Sequence, residues 1–408
     1  MKRRALFSLI VFGLLLPTAA SRPIQTAPKP AASAAEVTVP FELVNRHVVI
    51  QVRVNSSRPL SFVLDTGDKY AIIDLGRAKE LGLNLQGELR AAGAGSERPT
   101  GSFVKDSTFT IPGLAGFSQP VNIALPIGNL ASRLGQDFDG ILGSEFIKQF
   151  VLELDYQARV IKFHDKDKFS YIGPGESIPI KLNGAGHPII DAEVTPIGSE
   201  PVKGKFVLDI GSGAALILYS PFVAEHHLLG PNIKTIKAIG GAGAGGETTG
   251  RIGRVAELQI GKFKISNPST MFSEDKEGAL ASSAVLGNIG ARVTSKFRLL
   301  FDYGHDRIIF EPNNTFAEGL ERAFGGLAMV AEGKDYRTFR ITELLDNAPA
   351  AEAGLQKNDI ITAIDGQPAA ELTLSKLNEM LERPASYKLT VRRGEQTLHV
   401  TLTPKKMV

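Results

Sequence analysis

The sequence predicts a mostly β protein: two related β-rich lobes and a small α+β module at the C-terminal end. Three observations lead there. The 408 residues hold 42 Gly and 23 Pro but no Trp, a composition of short strands and turns. The stretch Phe62-Val63-Leu64-Asp65-Thr66-Gly67 recurs as Phe206-Val207-Leu208-Asp209-Ile210-Gly211, 144 residues later. Beyond residue 325 the pattern changes to short capped helices between alternating strands.

The N-terminal segment comes first. Lys2-Arg3-Arg4, then the apolar run Ala5–Leu16, then Pro17-Thr18-Ala19-Ala20-Ser21 read as an export signal over 1–21. The expected location is periplasmic or extracellular, or membrane-anchored if the signal stays uncleaved. Its three basic residues account for the net charge of +3, so nucleic acid is not an expected partner. Residues 22–36 are rich in Pro and Ala and read as a disordered spacer. There is no Cys, so no disulfide can form.

From Val37 strands begin. Val39–Val54 alternates as a hairpin would, and Phe62–Leu64 is a buried strand that carries Asp65 inward. A buried carboxylate is costly unless hydrogen-bonded or useful. Arg77–Leu83 reads as a short helix ended by Gly82. Ala91–Gly101, with Gly93 and Gly95, is a Gly-rich hairpin tip, followed by strands at 103–111 and 121–125. Gly140-Ile141-Leu142-Gly143 precedes a short helix at 144–149, and Phe150–Phe163 reads as a hairpin.

The programme then repeats over 176–312, matching 37–175. Ala238–Gly250, with Gly243 and Gly245, is a second tip. Phe297–Phe310 matches Phe150–Phe163, with Asp302-Tyr303 in register with Asp155-Tyr156. Asp65 to Gly143 spans 78 residues, and so does Asp209 to Gly287, which aligns Ala284–Gly287 with Gly140–Gly143. Internal duplication is the economical explanation.

Two units that each end a buried strand in a carboxylate can bring the pair together on a pseudo-twofold axis. Such a pair shares a proton, and its two apparent pKa values split. One member then serves as base and the other as acid, and the two can activate a water against a carbonyl. Other chemistries lack support. The run Gly240–Gly246 is followed by no Gly-Lys-Ser/Thr and by a strand-like segment, which excludes phosphate and dinucleotide loops. His226-His227 has no companion ligands, so no metal and no cofactor are expected. No G-x-S-x-G occurs.

The hydrophobic-Asp-Thr/Ser-Gly strands and their apolar-apolar-Gly partners resemble the retropepsin-like and pepsin-like aspartyl proteases over about residues 37–312. The resemblance implies two pseudo-twofold-related retropepsin-like β-barrel lobes and the catalytic pair Asp65 and Asp209. Thr66, Gly67, Gly211 and Ser212 would support the site. Flaps would form at Gly93, Gly95, Gly243 and Gly245 and close over an extended peptide. Two positions depart from the family. Ile210 stands where a hydroxyl usually braces the two loops, so the dyad should be looser or a backbone group left unsatisfied. Asp68 stands where a small residue is usual, and a third carboxylate should raise the dyad's pKa values.

At the C-terminal end, Ala351-Glu352-Ala353-Gly354-Leu355, Asn358–Gly366 and the helix at 374–381 resemble a bacterial PDZ domain over 325–404. That resemblance implies a peptide groove between a strand at 339–344 and the helix, lined by Phe339, Ile341, Leu374, Leu377 and Leu381. A peptide C-terminus would add there as a strand. Tyr336–Phe339 would supply the carboxylate-binding loop.

The expectation is an exported aspartic endopeptidase acting on peptides or unfolded proteins, with a PDZ domain that recruits them. The alternative is a non-catalytic peptide-binding protein that keeps the lobes, which Ile210 and Asp68 favour. In a third reading the lobes are a scaffold for the PDZ domain.

Overall fold

The computed structural model describes residues 36–114, 119–230 and 233–408. The expected export signal and nearly all of the expected spacer lie outside the described residues. Strands make up 43% of the structure and helices 13%, so the protein is mostly β. The sheets are open, where barrels were expected.

In the first half, strand Leu60–Leu64 is central because its apolar side chains are covered on both faces. Leu60, Phe62 and Leu64 are fully buried in the main core, and Val63 packs in a second, smaller cluster with Ile72 and Ile141. It pairs antiparallel with His47–Val54 and parallel with Gly140–Leu142. Gly140–Leu142 also pairs with Ala71–Asp74, so it fills the gap between the two arms of the Asp65 turn. A side chain at Gly140 would meet Phe62 and the Ile72 carbonyl at 2.3 Å.

The second half repeats this arrangement. Val202–Leu208 lies parallel to Gly287–Ile289, which pairs antiparallel with Leu216–Leu218. A Cβ on Gly287 would lie 2.0 Å from the Ile217 carbonyl, as Gly140 lies against Ile72. Gly287 is therefore the counterpart of Gly140, and Gly290 that of Gly143. The Gly143 N–H donates to Tyr70 and the Gly290 N–H to Ala215. The alignment of Gly143 with Gly287 was three residues out of register. Asp209 to Gly290 spans 81 residues against 78 in the first half. The error arose because Val285-Leu286-Gly287 has the apolar-apolar-Gly pattern of Ile141-Leu142-Gly143, whereas the true counterpart, Asn288-Ile289-Gly290, begins with a polar residue.

A six-stranded floor joins the halves. Val37–Pro40, Val160–His164 and Val151–Asp155 come from one half. Phe297–Asp302, Arg307–Pro312 and Glu176–Leu182 come from the other. The two sets meet where Leu152 pairs with Phe301 and Asp155 with Arg298. A single apolar core runs through both halves and this floor.

The C-terminal module has its own core. Its strand order is Leu327–Glu332, Thr338–Leu344, Ile360–Ile364, Tyr387–Arg393 and Gln396–Leu402. Helix Leu374–Leu381 buries Leu374, Leu377 and Leu381 on one stripe, and the Thr373 side chain caps it by accepting from the Lys376 N–H.

Candidate active site

Each acid follows the buried strand of its half, and the two turns interlock. The Asp65 and Asp209 carboxyl groups lie close enough for each to shift the other's pKa. A Cβ on Gly67 would sit 2.9 Å from the Asp209 carboxyl, and one on Gly211 would sit 2.0 Å from that of Asp65. Only glycine lets each loop pass so close to the opposite acid.

The loops are braced from one side. Thr66, fully buried, donates its hydroxyl to the Leu208 carbonyl at 2.6 Å and accepts from the Ile210 N–H at 3.0 Å. Ile210 makes no reciprocal bond and is fully buried in the main core. The first half holds the second by a hydroxyl, while the second holds by packing.

The two carboxyls have unequal surroundings. Asp65 Oδ1 accepts from the Gly67 N–H at 2.7 Å. Asp209 Oδ1 accepts from the Ser212 N–H at 3.0 Å, and its Oδ2 accepts from the side-chain amide of Asn288 at 2.8 Å. The pairing explains the Asn288 contact. Val207 and Asp209 point to one face of their strand, and Asn288 lies beside Val207 on that face. In the first half the same place is held by Ile141, beside Val63. Sequence reasoning missed Asn288 because of the register error. The polar residue inside Gly287-Asn288-Ile289-Gly290 was the signal that could have found it.

Burial raises the pKa of both acids, but not equally. Asp65 is pushed well above the usual carboxylate range by burial, then by the charges of Asp209 and Asp68, against one N–H. Asp209 is also raised by burial, but Asn288, Asp65 and the Gly211 and Ser212 N–H groups all favour its charged form. The shared proton therefore belongs on Asp65, and Asp209 carries the negative charge. The third carboxylate, Asp68, is pushed up to about 7 by burial and the nearby charge of Asp209, against the Lys69 N–H.

The four glycines expected in flaps come together at the two tips. The Glu97 N–H donates to the Gly245 carbonyl at 2.8 Å, and the Gly245 N–H to the Ala94 carbonyl at 2.9 Å. Gly93 packs against Ala244, and Gly243 against Ala94. The halves are thus joined at their tips as well as at their floor. Among the described residues no group of three or more His, Asp or Glu is arranged to hold a metal ion.

Residues 50–146 match the aspartyl protease family, and residues 340–393 match the PDZ domain family. The chain carries an aspartyl protease domain and a PDZ domain. It is 33% identical over 67 residues to serine protease HTRA1 of Xenopus laevis, covering 16% of this chain and 14% of that protein. It is 22% identical over 138 residues to a probable CtpA-like serine protease of Staphylococcus haemolyticus, covering 33% of this chain and 26% of that protein. The chain thus spans about a quarter or less of these relatives. Among solved structures it is similar to basic 7S globulin from soybean, with 10% identity and a TM-score of 0.43. That similarity covers 70% of this chain and 97% of the globulin.

The expected groove of the PDZ domain needs correction. Strand Thr338–Leu344 is paired on both edges, with Leu327–Glu332 and Ile360–Ile364, so no peptide can add to it. The open edge belongs to Leu327–Glu332, which ends the strand order. Phe339, Ile341, Leu374, Leu377 and Leu381 line no groove; all are buried in the PDZ core. Alternation on strand 338–344 reads the same whether its buried face meets a ligand or a core. Tyr336 packs against the apolar cluster of the first half that holds Ile141 and Leu134.

Proposed function

We propose that this chain is an aspartic-type endopeptidase that cleaves extended or unfolded polypeptides by direct water attack. The observation that carries the reading is the interlocked pair, two half-buried carboxyls close enough to act on each other, each beside the other's glycine. The match of residues 50–146 to the aspartyl protease family supports the same reaction class.

Asp209 is the base and Asp65 the acid. A water held between them gives a proton to Asp209 as its oxygen bonds the scissile carbonyl carbon. Asp65 donates its proton to the carbonyl oxygen, so the tetrahedral adduct is a neutral diol. The amide nitrogen then takes the proton from Asp209. The C–N bond breaks, and a diol proton returns to Asp65 as the carboxyl product forms. Each acid ends as it began, and one water has been divided between the two products. Splitting the two pKa values lets one site supply both roles at one pH.

The test uses the purified chain, an unfolded protein substrate and a pH series from acid to neutral. Asp65→Asn and Asp209→Asn should each lower kcat by at least about 10²-fold, as expected for loss of a general acid or base. No cleavage by the parent at any pH, with peptide binding intact, would remove the enzymatic reading in favour of a peptide-binding protein.

A further inference from the structure

The PDZ domain lies against three parts of the two halves. The first is the second tip. The Gly240 N–H donates to Glu343 of the PDZ domain at 3.1 Å, and Gly240 packs against Ala328 of the open-edged strand. The second is helix Leu130–Leu134 of the first half, which packs on that same strand. Its terminal Gly135 lies between Ala331 of the strand and Leu374 of the PDZ helix. The third is the tight turn Asn45-Arg46, whose residues have φ of 46° and 74°. Asn45 accepts from Asn378 at 3.1 Å and donates its N–H to Ser375 at 3.1 Å, while Arg46 pairs with Glu382. The next residue, His47, stands against the Asp209 loop at Gly213.

These contacts are linked. Arg133, on the helix that covers the strand, donates to the Gly240 carbonyl at 3.1 Å and pairs with Glu247 at 3.2 Å. Asn45 donates its amide to the Arg133 and Leu134 carbonyls at 3.2 and 2.9 Å. One helix therefore covers the open strand edge of the PDZ domain and grips the base of the second tip. That tip is hydrogen-bonded to the first.

We propose that the PDZ domain is the latch of the closed cleft. With Glu343 and the Leu130–Leu134 helix it holds the second tip down. An extended peptide that adds to strand Leu327–Glu332 must displace that helix, and so frees the tips. The open edge offers such a peptide backbone donors and acceptors. The contacts that hold the second tip are few and solvent-touched, with the Glu247 side chain 74% exposed, so the tip can be released and held again. The proposal rests on the reading of the tips as flaps over a peptide cleft, but its test does not need cleavage.

The test is amide hydrogen exchange on the full chain carrying Asp65→Asn, which keeps any substrate intact. Adding Arg133→Ala and Glu343→Ala should speed exchange of the Glu97 and Gly245 amides by at least about tenfold, with the floor strands unchanged. Tip exchange within twofold of the parent, in variants whose floor stays protected, would overturn the latch. A mixture of unstructured decapeptides with free C-termini should slow exchange in 327–332 and speed it at the tips and in 130–135. Protection of 327–332 without faster tips, or no protection at all, would overturn displacement by peptide. With the dyad intact, Arg133→Ala/Glu343→Ala should cleave faster than the parent. Freed tips with no cleavage by either protein would leave the latch standing and remove the peptidase reading.

Discussion

The two duplicated halves share one strand plan and differ at three places around the paired acids. Where the first half has Thr66, Asp68 and Ile141, the second has Ile210, Ser212 and Asn288. The first half supplies the brace and the extra negative charge. The second supplies the extra donors. Symmetry of the backbone brings the carboxyls together, and asymmetry of the side chains decides which keeps the proton. A fully symmetric pair would leave that choice to the substrate.

Removing the brace should have the largest effect. Thr66→Val keeps the shape but strands the Leu208 carbonyl and the Ile210 N–H, both satisfied by the hydroxyl at present. Two unsatisfied buried backbone groups should cost about 2–4 kcal/mol of stability, read by urea unfolding. The reverse change, Ile210→Thr, makes the halves alike. It loses apolar burial but offers a hydroxyl to the first half, so the net change should stay within about 1.5 kcal/mol. A loss for Thr66→Val no larger than for Ile210→Thr would show that packing, not the hydroxyl, holds the loops together.

The duplication was legible because its evidence lies in local runs: Phe-Val-Leu-Asp at 62 and 206, and Asp-Tyr at 155 and 302. Each run sets a strand whose period is visible within five residues. The two hairpins of the floor were legible in the same way, but their pairing with each other, Leu152 beside Phe301, was not. Asn288 was not legible. Its role depends on which residue of a short strand lies beside Val207, and an apolar decoy three residues earlier fitted equally well. The PDZ contacts were not legible either. Asn45, Gly135, Gly240 and Glu382 lie far apart in the chain and show no periodic pattern. Phe339 and Leu374 were recognised as apolar faces, but sequence alternation does not say what an apolar face meets.

The next test makes the second half resemble the first. Asn288→Leu removes the amide that favours charged Asp209. The folded-state pKa of Asp209 should rise, because the lost donor stabilised the carboxylate. In a pH–rate profile the acid limb reports that group, so it should move to higher pH while the alkaline limb, set by Asp65, stays in place. The bell narrows from its acid side, and kcat at acid pH should fall about tenfold. Asn288→Gln, which keeps an amide, should recover part of the shift. The Asn288 carbonyl oxygen is buried without a partner, so stability alone does not account for the residue. A leucine variant with unchanged limbs and a merely lower Tm would reduce Asn288 to a packing residue.

The smallest expected change comes from making the first half resemble the second, with Asp68→Ser. The Asp68 carboxyl is raised from 3.8 to about 7 in the folded protein. The folded state thus binds a proton that the unfolded chain has released above about pH 4. Between pH 4 and 7 the unfolded state binds fewer protons, so Asp68 makes stability fall as pH rises through that window. Above pH 7 the penalty is complete and constant. Asp68→Ser should flatten this decline, seen as a smaller drop in urea midpoint between pH 4 and 7. It also removes one of the charges that raise Asp65. The alkaline limb of the rate profile should then shift to lower pH, the opposite limb from the one that Asn288 controls. If both substitutions moved the same limb, the assignment of the proton to Asp65 and the charge to Asp209 would be wrong.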